Sequence, residues 1–195
     1  MRGVEQIPTL YDALMAVMEW SGLKRWRSWV AQGARGKTLE VGCGTGRNLG
    51  YYGEGAKVVA VEPDPAMLGR AKRRAPHALL VRAKAEALPF RDGAFDTVVS
   101  ALVFCSVHEP DRGLSEVSRV LGGEGQLRML EHVRAEGLAG RWQDFIQPAW
   151  TCVAGGCHPN RRTESTVEAC GFFIEAEGRR SEGNMRRFSA RKKSP

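Results

Sequence analysis

The chain has 195 residues, 43% of them hydrophobic and 26% charged, the composition of one globular domain with a substantial core. No apolar stretch approaches the roughly 20 residues needed to cross a bilayer, and the five cysteines follow no framework spacing; this excludes a membrane-spanning or secreted, disulfide-stapled fold and predicts a soluble, cytoplasmic protein with reduced thiols. The formal net charge of +7 is local, because Arg179, Arg180, Arg186, Arg187, Arg191, Lys192 and Lys193 stand against Glu182 alone near the C-terminus; such a basic tail is ordinarily solvated and otherwise attracts nucleic acid or an anionic surface.

Residues 10–20 and 23–31 have amphipathic spacing and are rich in Met and Trp, which predicts two helices capping the domain within residues 1–36. A core over residues 37–133 follows, in which short apolar strands at 38–41, 58–61, 79–81, 97–102 and 127–133 alternate with helices. The first four strands are nearly continuous apolar runs, as expected of a parallel sheet buried on both faces. Asp64-Pro65 places a capping carboxylate before a proline suited to the first helical position, and Pro76 ends that helix. A second helix opens at Pro110-Asp111, and Gly122-Gly123 is expected to end it in positive φ. Residues 134–195 hold a helical stretch from 138 to about 153, a helix over 163–170 stopped by Gly171, and strand-like pieces at 172–177 and 187–191. The turn-forming residues 181–184 between these pieces predict an antiparallel hairpin at the sheet edge. The sum is a single α/β domain of Rossmann-like type, with a mostly parallel seven-stranded sheet.

The chemistry concentrates at LEVGCGTG, residues 39–46, where an apolar strand runs into a turn expected to open a helix. Glycines at 42, 44 and 46 permit unusual φ values and let bare backbone touch a ligand at the strand end. Glu62 ends the second strand, where a carboxylate accepts hydrogen bonds from both hydroxyls of a ribose. That pairing describes a nucleoside and leaves two ligands open, a nicotinamide dinucleotide and S-adenosylmethionine. Against the dinucleotide, Gly46 comes one residue early for G-x-G-x-x-G and Arg47 occupies the third position. Glu40 also puts negative charge where a dinucleotide has phosphates and S-adenosylmethionine an ammonium group. Cys152 and Cys157-His158 lack a second ligand pair at zinc-like spacing, so no metal site is expected.

LEVGCGTG, VVAVEPDPAML, AEALPF with FDTVVSALVF, and SEVSRVL with GGEG resemble, in order, the motifs of class I S-adenosylmethionine-dependent methyltransferases, especially the ubiquinone-biosynthesis type. The resemblance covers about residues 38–133. VFCSV, LEHVRAE, QPAW, GGCHPNRRT and ACGF are similar to a bacterial group related to animal alkyl thiol methyltransferases, whose hydrophobic N-terminal anchor has no expected counterpart here. The resemblance implies that S-adenosyl-L-methionine is the cofactor and S-adenosyl-L-homocysteine the product. It implies that Gly42, Gly44 and Gly46, with Cys43 and Thr45 between them, cradle the methionine and ribose, and that Glu40 lies near the amino group. Glu62 would hold the ribose, Pro63 and Met67 would flank the adenine, and the backbone of Ala85 and Glu86 would meet its edge; many relatives have Asp where Lys84 stands. Ala101 and Leu102 would turn carbonyls toward the methionine moiety.

Methyl transfer from a sulfonium is an in-line displacement that mainly requires positioning of the acceptor. For a thiol acceptor a base helps, because thiolate is the nucleophile; His132 is the expected candidate, ahead of His108 and His158. Tyr11, Cys105 and His158 are the expected substrate-side residues. The expected acceptor is a small hydrophobic molecule, with a thiol favoured. The Trp-rich helices, with Trp142 and Trp150, also suit a lipid or quinone, and Cys105, Cys152 and Cys157 suit arsenite. Two further readings stand beside these: a nucleic-acid methyltransferase or binder using the basic tail, and a nicotinamide-dependent oxidoreductase.

Overall fold

The computed structural model describes residues 7–154 and 156–193, apart from the side chains of Leu14 and Ser21. Residues 1–6 of the expected cap, Gly155, and Ser194 and Pro195 of the basic tail lie outside the described residues. Helix α1 (Pro8–Met18) runs through a wide turn at Glu19–Leu23 into α2 (Lys24–Gln32), the kink falling at Gly22, whose φ is 118°. The sheet is built from β1 (Gly36–Val41), β2 (Ala56–Val61), β3 (Leu79–Val81), β4 (Phe95–Ala101), β5 (Leu121–His132), β6 (Phe172–Ile174), β7 (Arg180–Glu182) and β8 (Met185–Lys192). Its order is β3-β2-β1-β4-β5-β8-β6, with β7 beside β8. Strands β1 to β5 are parallel, and β8 runs antiparallel to β5, β6 and β7.

Helices α3 (Pro65–Arg74), α4 (Pro110–Val120), α5 (Gly137–Ala154) and α6 (Thr163–Ala169) complete the chain. The Asp64 carboxylate accepts from the N–H groups of Ala66 and Met67 at 2.7 and 3.0 Å, the expected cap of α3. Side-chain alternation along the strands divides the core. Leu39, Val41, Val98 and Leu127 pack against Leu114 and Val117 of α4 and Val167 of α6. On the opposite face Val99, Ala101 and Leu130 meet Met15, Trp26 and Val30 of the N-terminal helices, and Ala60 meets Ala71 of α3. Arg128 joins the layers, donating to the carbonyls of Trp29 and Val30 at 2.7 and 3.0 Å, with its guanidinium 4.1 Å from the Trp29 ring centroid. It thereby supplies the cationic cap that the C-terminus of α2 favours.

Three expectations are corrected. The glycine turn opens no helix: residues 44–51 form successive turns closed by Gly46 N–H to Cys43 O and Leu49 N–H to Gly46 O. The φ values of Gly44 and Gly46, 55° and 79°, do not continue a right-handed helix. Gly122 and Gly123 do not terminate α4 in positive φ, because Leu121 pairs with Phe95 and draws the chain straight into β5. The expected antiparallel edge is present: β8 and β6 pair antiparallel at the end of the sheet, with β8 between β5 and β6, and the turn at Gly183 adds the short β7 beside β8. The basic stretch is therefore sheet rather than a tail. Arg187 lies 4.8 Å from the Trp29 ring centroid, Arg191 pairs with Glu175 at 2.8 Å, and Lys192 Nζ donates to Leu121 O at 2.6 Å.

Candidate active site

A cleft of about 390 Å³ opens at the carboxyl ends of β1, β2, β4 and β5. In an open α/β sheet this is where ligands bind, at the point where strand order reverses, here between β1 and β4. Gly42 and Gly44 form one wall, Glu62, Pro63 and Met67 a second, and Lys84, Ala85 and Glu86 a third. Ala101 and Leu102 supply the floor, while Tyr11 and Met15 reach over from α1. Cys105, His108 and His132 line the far end.

The two sides of the glycine turn serve different ends. A Cβ on Gly44 would meet nothing within 4 Å, so that backbone faces free cleft, whereas one on Gly46 would stand 3.1 Å from the Cα of Ala71. Gly46 thus permits the turn to sit on α3, and it does not line the cleft. Cys43 packs with Ala60 and Ala71 behind the wall, and Thr45 Oγ1 donates to Asp12 at 2.7 Å. Glu40 is also behind the wall, because strand alternation sends it to the face shared with Ala60 and Val99. There Asn48 donates to it at 3.0 Å and in turn accepts from Arg27 at 2.9 Å. Burial pushes the Glu40 carboxyl up to about 7, against the opposing pull of Tyr52, Asn48 and Arg27.

Glu62 faces the cleft. One carboxylate oxygen accepts the N–H of Gly44 at 2.9 Å and the other that of Asp64 at 3.0 Å, and burial pushes the group above its ordinary range. Each oxygen has further acceptor capacity, enough for two hydroxyls. Asp12, which the motif reading missed, ties α1 to this wall. Its carboxylate accepts from Thr45, Arg47, Arg70 and Arg74 at 2.7–3.0 Å. Burial would raise it, but the hydrogen bonds from Thr45, Arg70 and Arg74 prevail and hold it at about 2.

At the other end Leu102 takes a φ of 62°, rare for a branched side chain, and its N–H donates to Leu130 O at 2.7 Å. The turn that follows is held by Glu131, a fully buried carboxylate also missed from sequence. It accepts from Ser100 Oγ and the N–H groups of Val103, Phe104 and Cys105 at 3.0–3.3 Å. This fixes Cys105, whose Sγ is 4.0 Å from His132 Nδ1, and Cys157 Sγ lies at the same distance. Spacing along the chain pointed to no metal ligands, yet these three ligand atoms lie within 4.8 Å of one another. Interaction with Cys105, and then with the His132 ring, holds the Cys157 thiol well below its ordinary range although burial opposes it. His158 does not line the cleft: its N–H donates to Cys105 O at 2.8 Å and its ring Nδ1 is 2.8 Å from Gln147 Nε2. Cys152 is exposed and apart from the cluster.

A Rossmann-like sheet with a buried carboxylate lining a cleft beside bare glycine backbone defines a class, and residues 39–129 match the family model described as a methyltransferase domain. Residues 39–129 form a methyltransferase domain, and the chain has the fold of the class I S-adenosylmethionine-dependent methyltransferases. It is 34% identical over 143 residues to a human thiol S-methyltransferase, covering 69% of this chain and 59% of that protein. It is 36% identical over 137 residues to a demethylmenaquinone methyltransferase of Thermus thermophilus, covering 65% of this chain and 62% of that protein. The chain thus spans about three fifths of the length of these relatives. A solved S-adenosylmethionine-dependent methyltransferase from Thermotoga maritima shares the fold, with a TM-score of 0.77 at 22% identity over 97% of this chain and 98% of the other. The family and fold imply S-adenosylmethionine as cofactor, and the cleft fits it: Gly44 leaves room that a side chain would fill, and Glu62 keeps acceptor capacity for a ribose. Among the described residues no helix is long and apolar enough to cross a membrane.

Proposed function

We propose that the protein methylates a small hydrophobic thiol. The observation that carries this reading is the shape of one continuous cleft, with bare glycine backbone and Glu62 at one end and Cys105 and His132 at the other. Similarity to thiol S-methyltransferases supports the acceptor class, and the apolar walls at Met15, Leu102, Val103 and Val107 suit an alkyl or aryl group.

S-adenosylmethionine supplies a methyl group carried on a sulfonium. The chain's residues then do the positioning. Glu62 would hold the ribose hydroxyls, Pro63 and Met67 would flank the adenine, and the backbone at Ala85 and Glu86 would border its edge. Leu102, held in its unusual conformation by Leu130, aims the end of β4 at the centre of the cleft. An acceptor thiol must lose its proton to become the nucleophile, and His132, one of the two imidazoles lining this end of the cleft, would accept it.

The test is a methylation assay with labelled donor over an alkyl thiol, a demethylated quinol and phosphatidylethanolamine vesicles. Labelled thioether is expected from the thiol. Label in the quinol or the lipid with none in the thiol overturns the reading.

A further inference from the structure

Cys105 and Cys157 are 1% and 0% exposed, and both sulfurs stand 4.0 Å from one ring nitrogen, His132 Nδ1. The three ligand atoms come from the turn after β4, the end of β5 and the loop after α5, and lie within 4.8 Å of one another. We infer that Cys105, His132 and Cys157 form a binding site for a soft divalent cation of the zinc type, with its fourth position open toward the cleft.

The geometry is near that of a coordinated ion. With metal–sulfur bonds of roughly 2.3 Å and metal–nitrogen bonds of roughly 2.0 Å, a tetrahedral site places its ligand atoms about 3.5–3.8 Å apart. The sulfur–nitrogen gaps need to close by a few tenths of an ångström, and the sulfur–sulfur gap, within 4.8 Å, by about 1 Å at most. The backbone behind the ligands is already fixed. Glu131 accepts the Cys105 N–H, His158 N–H donates to Cys105 O at 2.8 Å, and Thr151 Oγ1 donates to Cys157 O at 3.0 Å. Charge also favours an ion of this kind. Binding releases to solvent any proton still held on Cys105 or Cys157, and two thiolates with a divalent cation sum to zero, a load that a buried site tolerates.

Two sulfurs and one imidazole leave one tetrahedral position vacant, the pattern of a reactive rather than a closed structural zinc site. Cys105 and His132 line the cleft, so that position faces the methyl acceptor. Here the inference rests on the thiol reading: an entering thiol coordinates the cation, loses its proton to solvent and is held as thiolate, and His132 then serves as ligand in place of base.

The test loads the reduced protein with cobalt(II) as a spectroscopic probe. One equivalent is expected to give thiolate-to-metal charge transfer and the intense visible bands of four-coordination. Cys105→Ser and Cys157→Ser should lose the charge-transfer intensity, and Cys152→Ser should keep it. A folded wild-type protein without that absorption, or a spectrum untouched by Cys157→Ser, overturns the site. Adding an alkyl thiol should shift the visible bands, and unchanged bands overturn the open position. Cobalt binding without thiol methylation in any metal state sinks the thiol reading and leaves the cation site standing. Thiol methylation indifferent to chelators, together with no cobalt spectrum, sinks the site alone.

Discussion

Asp12 gathers donors from two separate segments, the glycine turn and α3, so its ionisation is linked to stability. Its folded value is about 2 against an ordinary 3.8; a depressed carboxylate contributes stability that is complete above the unfolded value and disappears as pH falls through the folded one. The shift corresponds to about 2 kcal/mol. Denaturant titrations of wild type and Asp12→Asn should therefore differ by about that amount near neutrality and converge as pH falls from 3.8 toward 2. A gap that stays constant with pH removes this role. Glu131 makes a parallel case without a proton. Glu131→Gln puts an amide where one oxygen faces N–H donors, which should cost about 1–3 kcal/mol and speed hydrogen exchange at Val103, Phe104 and Cys105. Glu62→Ala leaves the sheet intact and should weaken cofactor binding by about 1–3 kcal/mol in calorimetry if it accepts from ribose. Both buried glutamates sit at strand ends in the sequence. Only Glu62 was legible, because it adjoins a recognisable Glu-Pro-Asp-Pro turn, while Glu131 works on a turn 26–28 residues earlier.

At the scale of elements, the glycine turn separates ligand space from packing space. Gly44→Val should abolish cofactor binding with only the strain of a side chain at positive φ, about 1–2 kcal/mol, charged to stability; retained binding in a titration argues against this wall. Capping is decided at the same scale. Arg128→Met deletes three hydrogen bonds, two of them to carbonyls in the last turn of α2. It should lower stability by about 2–4 kcal/mol, read from denaturant midpoints. Helices α3 and α4 were readable because proline and a carboxylate mark their starts locally. The turns after β1 were not: three glycines suit a helix-opening loop equally well, and only contact with Ala71 decides the conformation. Glu40, Cys43, Thr45 and Gly46 were expected to hold the cofactor but do not line the cleft, since a strand and a tight turn send neighbouring residues to opposite sides.

Across the whole molecule, the parallel sheet followed from apolar runs, and the class of site from its position at their ends. The cluster of Cys105, His132 and Cys157 did not, because its members are 25 and 27 residues apart from the central histidine. Only the docking of α5 and its following loop against the ends of β4 and β5 brings them together. The same long-range assembly governs β8. It pairs with β5 from Gln126 to His132 and carries β6 and β7 on its other side. Consequently, until residues 185–192 have been synthesised, β5 has a bare flank and β6 has no partner. Until then that row of amides is open to pairing with other chains, so closure of the sheet waits for residues 185–192.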